Sequence, residues 1–150
     1  MERDRQEQIE YLLEHYQHPV NRRALPNADV TVPGGNPGCG DVVTVFAKLA
    51  PDGQHLSDLT FVGEGCTISQ AGASIVMEKL RDERPSLDEI TALEYKVMEE
   101  ELGHEAMAMR PRCATLALGT VKAAVRKIQR DRELRAAGID PATAPVSFTS

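Results

Sequence analysis

A mixed α/β fold (α+β), with an antiparallel hairpin set among helices, is what this 150-residue sequence predicts. Three observations carry the prediction. Two runs rich in β-branched and apolar residues, 41–50 and 56–63, flank the turn signal Pro51-Asp52-Gly53. Apolar residues at helical spacing recur on both sides of that pair. Caps and breakers such as Ser86 with Glu89, Pro111 and Gly138 mark helix ends.

Residues 3–17 read as a helix, with Ile9, Leu12, Leu13 and Tyr16 on one stripe and Pro19 as its stop. Residues 18–40 carry Pro26, Pro33 and Pro37 with four glycines, which is loop punctuation around a short edge strand near Val30 and Val32. Val42 to Phe46 and Leu56 to Val62 form the hairpin. Cys66 opens a helix over about 67–82, with Ser69, Ala71, Gly72, Ala73 and Ser74 permitting close approach. Arg84-Pro85 ends it. Ser86 and Glu89 form a capping box for one helix that carries Leu87, Ile90, Leu93 and Val97, fades into Glu99-Glu100-Glu101 and stops near Gly103. Pro111 starts a last helix that runs to about Ala137. Residues 1–138 make one domain, and 139–150 read as a disordered tail.

The chain is 41% hydrophobic and 27% charged, as in ordinary soluble domains. Its apolar runs fall short of membrane-spanning length, and the start Met1-Glu2-Arg3-Asp4-Arg5 is too charged for a secretory signal. A cytoplasmic protein is expected. The net charge of −6 and the low aromatic content argue against nucleic acid as a partner.

The three cysteines are the most informative residues. Cys39 lies in Asn36-Pro37-Gly38-Cys39-Gly40-Asp41, Cys66 follows Gly63-Glu64-Gly65, and Cys113 follows Arg110-Pro111-Arg112. An odd count at wide spacing argues against a disulfide framework and for metal or thiol chemistry. Cys66 and Cys113 fall at helix N-termini, where free N–H groups and the helix dipole favour a thiolate. Arg110 and Arg112 flank Cys113 and should lower its pKa further. Asp41 is two residues beyond Cys39, so in an extended segment both side chains point to one side. Three thiolates and a carboxylate suit tetrahedral Zn²⁺, or iron with sulfide. A buried cysteine can also be a plain apolar side chain, and a closed structural zinc uses the same ligand count. Both alternatives stay open at this level.

The histidines show no paired metal spacing. His15 and His18 read as cap or loop residues, His55 as a solvated turn and His104 as a cap of the acidic helix. Lys122, Arg126, Lys127, Arg130 and Arg132 read as the wet face of a helix, and Met107 with Met109 as packing.

Taken in order, these settings resemble the NifU/IscU/SufU family of iron–sulfur cluster assembly proteins, over about residues 7–131. Tyr16-Gln17-His18-Pro19-Val20-Asn21 is similar to the family's His-Pro-x-Asn segment. Gly63-Glu64-Gly65-Cys66-Thr67-Ile68-Ser69 and Arg112-Cys113-Ala114-Thr115-Leu116 look like the SufU branch. IscU proteins place His before the third cysteine, where this chain has Arg112. They also carry a Leu-Pro-Pro-Val-Lys segment where this chain has Met107-Ala108-Met109-Arg110-Pro111. The spacing between Cys66 and Cys113 is closer to IscU.

The resemblance implies a small, mainly antiparallel three-stranded sheet with helices packed on one face. It implies Zn²⁺ on Cys39, Asp41, Cys66 and Cys113 in the resting state, with Cys113 as acceptor of sulfur. A residue of the partner would replace Cys113 on the metal and free it, and Arg112 with Arg110 would keep it ionised. The implied partner is a SufS-like cysteine desulfurase, followed by a downstream SUF scaffold or apo iron–sulfur proteins. The alternative role is a scaffold that holds a [2Fe–2S] cluster on the same four residues. A further alternative is a zinc-stabilised binding module without catalysis.

Overall fold

Alternation along one strand sets the architecture. The structure, a computed structural model, describes residues 3–36 and 40–143. Strand β2 (Asp41–Leu49) buries every second side chain: Asp41, Val43, Val45 and Ala47 line one face, and Val42 on the other is exposed. It is the centre of an antiparallel sheet of order β1-β2-β3, with β1 at Val30–Asn36 and β3 at Leu56–Glu64. The register sets Val45 opposite both Val32 and Phe61, and Asp41 opposite Asn36 at the sheet's end. The three-stranded antiparallel sheet implied by the resemblance is present.

β1 is longer than the edge strand expected near Val30 and Val32, and it includes Pro33. An edge strand tolerates proline because one side of its backbone needs no ladder partner. Gly34 in β1 faces Thr120, and a Cβ there would collide with the threonine hydroxyl. The strand therefore lies directly on the long last helix.

Helices cover the buried face. α1 (Arg5–Gln17) is capped by Asp4 and packs on α2 (Thr67–Glu83). α2 buries Ser69 to Met77 almost without interruption, as its small residues allow, and packs on α6 (Pro111–Ala136), which in turn covers β1 and β2. Val43, Val45, Phe61, Ile75, Met77, Leu118, Val121 and Val125 form the centre of the core.

One expectation is corrected. The single helix expected from residue 87 to about 103 is two short ones, α3 (Leu87–Ala92) and α4 (Val97–Leu102), and a further short helix, α5 (His104–Met109), follows them. Ser86 and Glu89 do form the capping box. The break comes at Leu93, which is extended (φ −60°, ψ 133°) and whose carbonyl takes a hydrogen bond from Lys122 Nζ instead of continuing the helix. A tertiary partner outcompetes the local helical ladder. Gly103, at φ 95°, separates α4 from α5. After α6, residues 139–143 hold a turn in which Asp140 accepts from Ala142 N–H. The rest of the expected tail, 144–150, lies outside the described residues.

Candidate metal centre

Three elements end at one point. Asp41 opens β2 and continues its buried stripe, so the residue that follows the apolar series Ala47, Val45 and Val43 is a carboxylate. Cys66 is the N-cap of α2, and Cys113 sits in the first turn of α6. Both cysteine positions agree with the sequence reading. A carboxylate oxygen of Asp41 and the two sulfurs all lie within 4.8 Å of one another. Cys39, the fourth expected ligand, lies outside the described residues.

Asp41 is 1% exposed, and its two oxygens have different tasks. Oδ1 accepts from the Cys66 backbone N–H at 2.7 Å and from the Ser69 hydroxyl at 2.9 Å. Oδ2 accepts from the Cys113 thiol at 3.0 Å. Cys66 itself provides no side-chain cap, so Asp41 satisfies a free N–H at the start of α2 from another strand. Gly65 makes this possible: it stands at φ 147°, and a Cβ on it would overlap the Asp41 carboxylate.

Burial works against the charge on Asp41, but hydrogen bonds from Cys113, Cys66 and Ser69 outweigh it and hold the carboxyl below its usual range. Cys113 goes the opposite way. Burial, then its hydrogen bond to Asp41 and the proximity of Cys66, push its thiol up to about 12. Arg112 is exposed and lines an outer groove with Val32, Gly35, Tyr95 and Thr115. Burial beside Asp41 and Cys66 thus favours the protonated thiol. A bound divalent cation reverses that balance and ionises a ligating thiol.

Two sulfurs and one carboxylate oxygen, largely buried and gathered at helix starts, fit a borderline-soft ion such as Zn²⁺, or iron. The sequence reading missed Ser69 and Gln70, whose Nε2 donates to Ser69 Oγ at 3.1 Å. A hydroxyl three residues after an N-cap was the available signal. The histidines take no part in the gathered group. His104 is exposed on α5 near Glu99, and His55 bonds Asp52 in its turn. His18 caps α1, as expected. His15 is a correction: it is buried against Ser74. Met107 packs on the core, but Met109 is 79% exposed.

Residues 7–134 match the family model described as NifU-like N terminal domain. The chain belongs to that family. Among its NifU-like relatives, "Iron-sulfur cluster assembly scaffold protein IscU" of Escherichia coli strain K12 is 32% identical over 129 residues, covering 84% of this chain and 97% of that protein. "Zinc-dependent sulfurtransferase SufU" of Bacillus subtilis is 39% identical over 70 residues, 47% of this chain and 46% of that protein. The chain thus aligns with about half the length of the SufU relative. The fold recurs in the N-terminal part of a NifU-like protein from Brucella abortus, at TM-score 0.67 and 18% identity over 80% of this chain and 92% of that one. It recurs also in a SUF-system protein from Fervidobacterium islandicum, at TM-score 0.62 and 24% identity over 77% and 94%.

Proposed function

We propose that this chain is an iron–sulfur cluster assembly protein that accepts sulfur on Cys113 from a cysteine desulfurase. The observation that carries the proposal is the meeting of Asp41, Cys66 and Cys113 at one buried point, within 4.8 Å. The SufU relative, matched over about half of its length at 39% identity, supports the sulfurtransferase form. Asp41, Cys66 and Cys113, with Cys39 as the fourth ligand, would hold Zn²⁺, which when bound would supply the positive charge that keeps the thiols ionised. Once free, the Cys113 thiolate attacks the outer sulfur of the desulfurase persulfide. A new S–S bond forms at Cys113, the persulfide S–S bond breaks, and the desulfurase cysteine leaves as thiolate. Asp41 and Cys66 hold the site while Cys113 is away. A SufS-like desulfurase is the donor, and a SUF scaffold or apo iron–sulfur protein receives the sulfur in turn. No helix among the described residues is long and apolar enough to cross a membrane. The reading places the reaction in the cytoplasm.

The similarity to the IscU scaffold over 84% of this chain favours a second reading, in which a [2Fe–2S] cluster is the cargo assembled on the same ligands. Intact-mass analysis separates the two. The zinc-loaded protein is incubated with a SufS-type desulfurase and free cysteine, without iron. A gain of one sulfur, removed by reductant, mapped to Cys113 and lost in Cys113→Ala, supports the acceptor. No gain, with cluster absorbance only after iron is added, supports the scaffold. Neither sulfur nor cluster leaves a zinc-stabilised binding module.

A further inference from the structure

We infer that Ser69 is a positioning residue that presents Asp41 to the metal through one oxygen, Oδ2. The inference rests on the metal-binding reading above and adds a residue to it. Ser69 is fully buried in the first turn of α2, with its Oγ 2.9 Å from Asp41 Oδ1. The Cys66 N–H reaches the same oxygen at 2.7 Å. Two donors fill the acceptor positions of Oδ1, because each carboxylate oxygen has about two. Oδ2 is left on the side of Cys113, 3.0 Å from its sulfur.

The serine proton has a defined direction. Ser69 Oγ lies 3.0 Å from the Cys66 carbonyl as well as close to Asp41, and a hydroxyl has one proton to give. The charged oxygen is the stronger acceptor. Gln70 Nε2 donates to Ser69 Oγ at 3.1 Å and so fills the hydroxyl's accepting side. The chain Gln70 to Ser69 to Asp41 therefore runs one way and ends on Oδ1, the oxygen that the Cys66 N–H also holds. Its effect is to hold the carboxylate plane and to keep Asp41 a single-oxygen ligand, which one rotation can release.

The test measures Zn²⁺ affinity against a chromophoric chelator and the ligand-field absorption of the Co²⁺ form. It compares wild type, Ser69→Ala, Ser69→Thr and Ser69→Ala in an Asp41→Cys background. Ser69→Ala should lose about 10- to 100-fold in Zn²⁺ affinity, the usual cost of removing a hydrogen-bonding partner of a ligand. Its Co²⁺ bands should shift while its far-UV circular dichroism stays that of wild type. Ser69→Thr, which keeps the hydroxyl, should recover at least part of the affinity. With Cys at 41 there is no carboxylate to orient, so adding Ser69→Ala should change the affinity less than twofold. Wild-type affinity and unshifted bands in Ser69→Ala overturn the inference. So does an equal loss in both backgrounds, which would make Ser69 a packing residue. Wild-type protein that binds neither ion overturns the metal reading itself, and this inference with it.

Discussion

Asp41 Oδ2 lies 3.0 Å from the sulfur of Cys113, a contact that joins the first residue of β2 to the first turn of α6 across 72 positions of sequence. It makes one cysteine of the site unlike the other. Cys113 is buried beside a carboxylate, and Cys66 is half-buried at a helix start.

The first prediction follows from that difference. In metal-free protein at pH 8, iodoacetamide should label Cys66 well before Cys113. Burial and the acidic neighbours push the Cys113 thiol to about 12, so roughly one molecule in 10⁴ carries the thiolate at pH 8. Asp41→Asn removes the carboxylate charge and should speed Cys113 labelling, while burial keeps it slower than Cys66. Mass mapping of the labelled sites reads both effects. Equal rates in the parent protein would mean that α6 opens at its start and that the contact is transient.

Gly65→Ala should damage the metal site more than the fold. The residue stands at φ 147°, and a Cβ there would overlap the Asp41 carboxylate. The backbone strain costs about 1–3 kcal/mol of stability. Displacing Asp41 should cost at least about tenfold in Zn²⁺ affinity. Gly138→Ala is the control, since it also has positive φ but no atom within 4 Å of the added Cβ. It should lose stability and keep full affinity. Chelator competition and urea denaturation on both variants check this, and equal affinity in the two would refute the displacement.

Much of this arrangement was legible because local signals agreed. β-branched alternation gave β2 and β3, Pro111 marked the start of α6, and the glycines beside Cys66 marked the approach to α2. Asp41 was found because it shares a short motif with Cys39. What escaped notice depends on contacts between distant elements. His15 and Lys122 look solvated in sequence, yet they are 6% exposed because α2 and the segment around Leu93 close over them. The break at Leu93 has the same origin, as no local residue there disfavours a helix. The surroundings of Cys113 have the same character. Flanking arginines are visible in the chain, whereas burial beside Asp41 is a property of the fold.

Lys122 yields a third prediction. Its ammonium donates to the Leu93 carbonyl and lies 4.7 Å from the centre of the Tyr95 ring. Lys122→Met keeps the length and removes the donor, leaving a part-buried carbonyl unpaired. That loss is worth about 1–3 kcal/mol. Relief of ammonium desolvation offsets part of it, so the net expectation is destabilisation by about 1–2 kcal/mol. Urea denaturation measures the sum. Hydrogen exchange should locate the loosening at residues 93–97. A more stable variant would mean that burying the ammonium costs more than its two contacts return.

His15 ties α1 to α2 and should make that tie sensitive to pH. Its Nδ1 lies 2.7 Å from the Ser74 hydroxyl, which also accepts from Val20 N–H at 2.8 Å. The other ring nitrogen, Nε2, lies 3.6 Å from Glu78. Protonation would place a charged ring against Ser74, which is fully buried. Burial lowers the His15 pKa from 6.5, and Glu78 and Glu101 only partly counter it. The folded pKa is the lower one, so the unfolded chain takes up the proton first. Stability from this residue is complete above about pH 6.5 and falls as pH drops from there through the folded pKa. Urea midpoints measured from pH 8 to pH 5 should therefore decline for the parent protein more steeply than for His15→Gln, which has no proton to gain at this position. The difference between the two curves isolates His15 from the carboxylates that titrate at lower pH. A parent protein that gains stability relative to His15→Gln on acidification would show that Glu78 and Glu101 overcome burial, and that the ion pair forms.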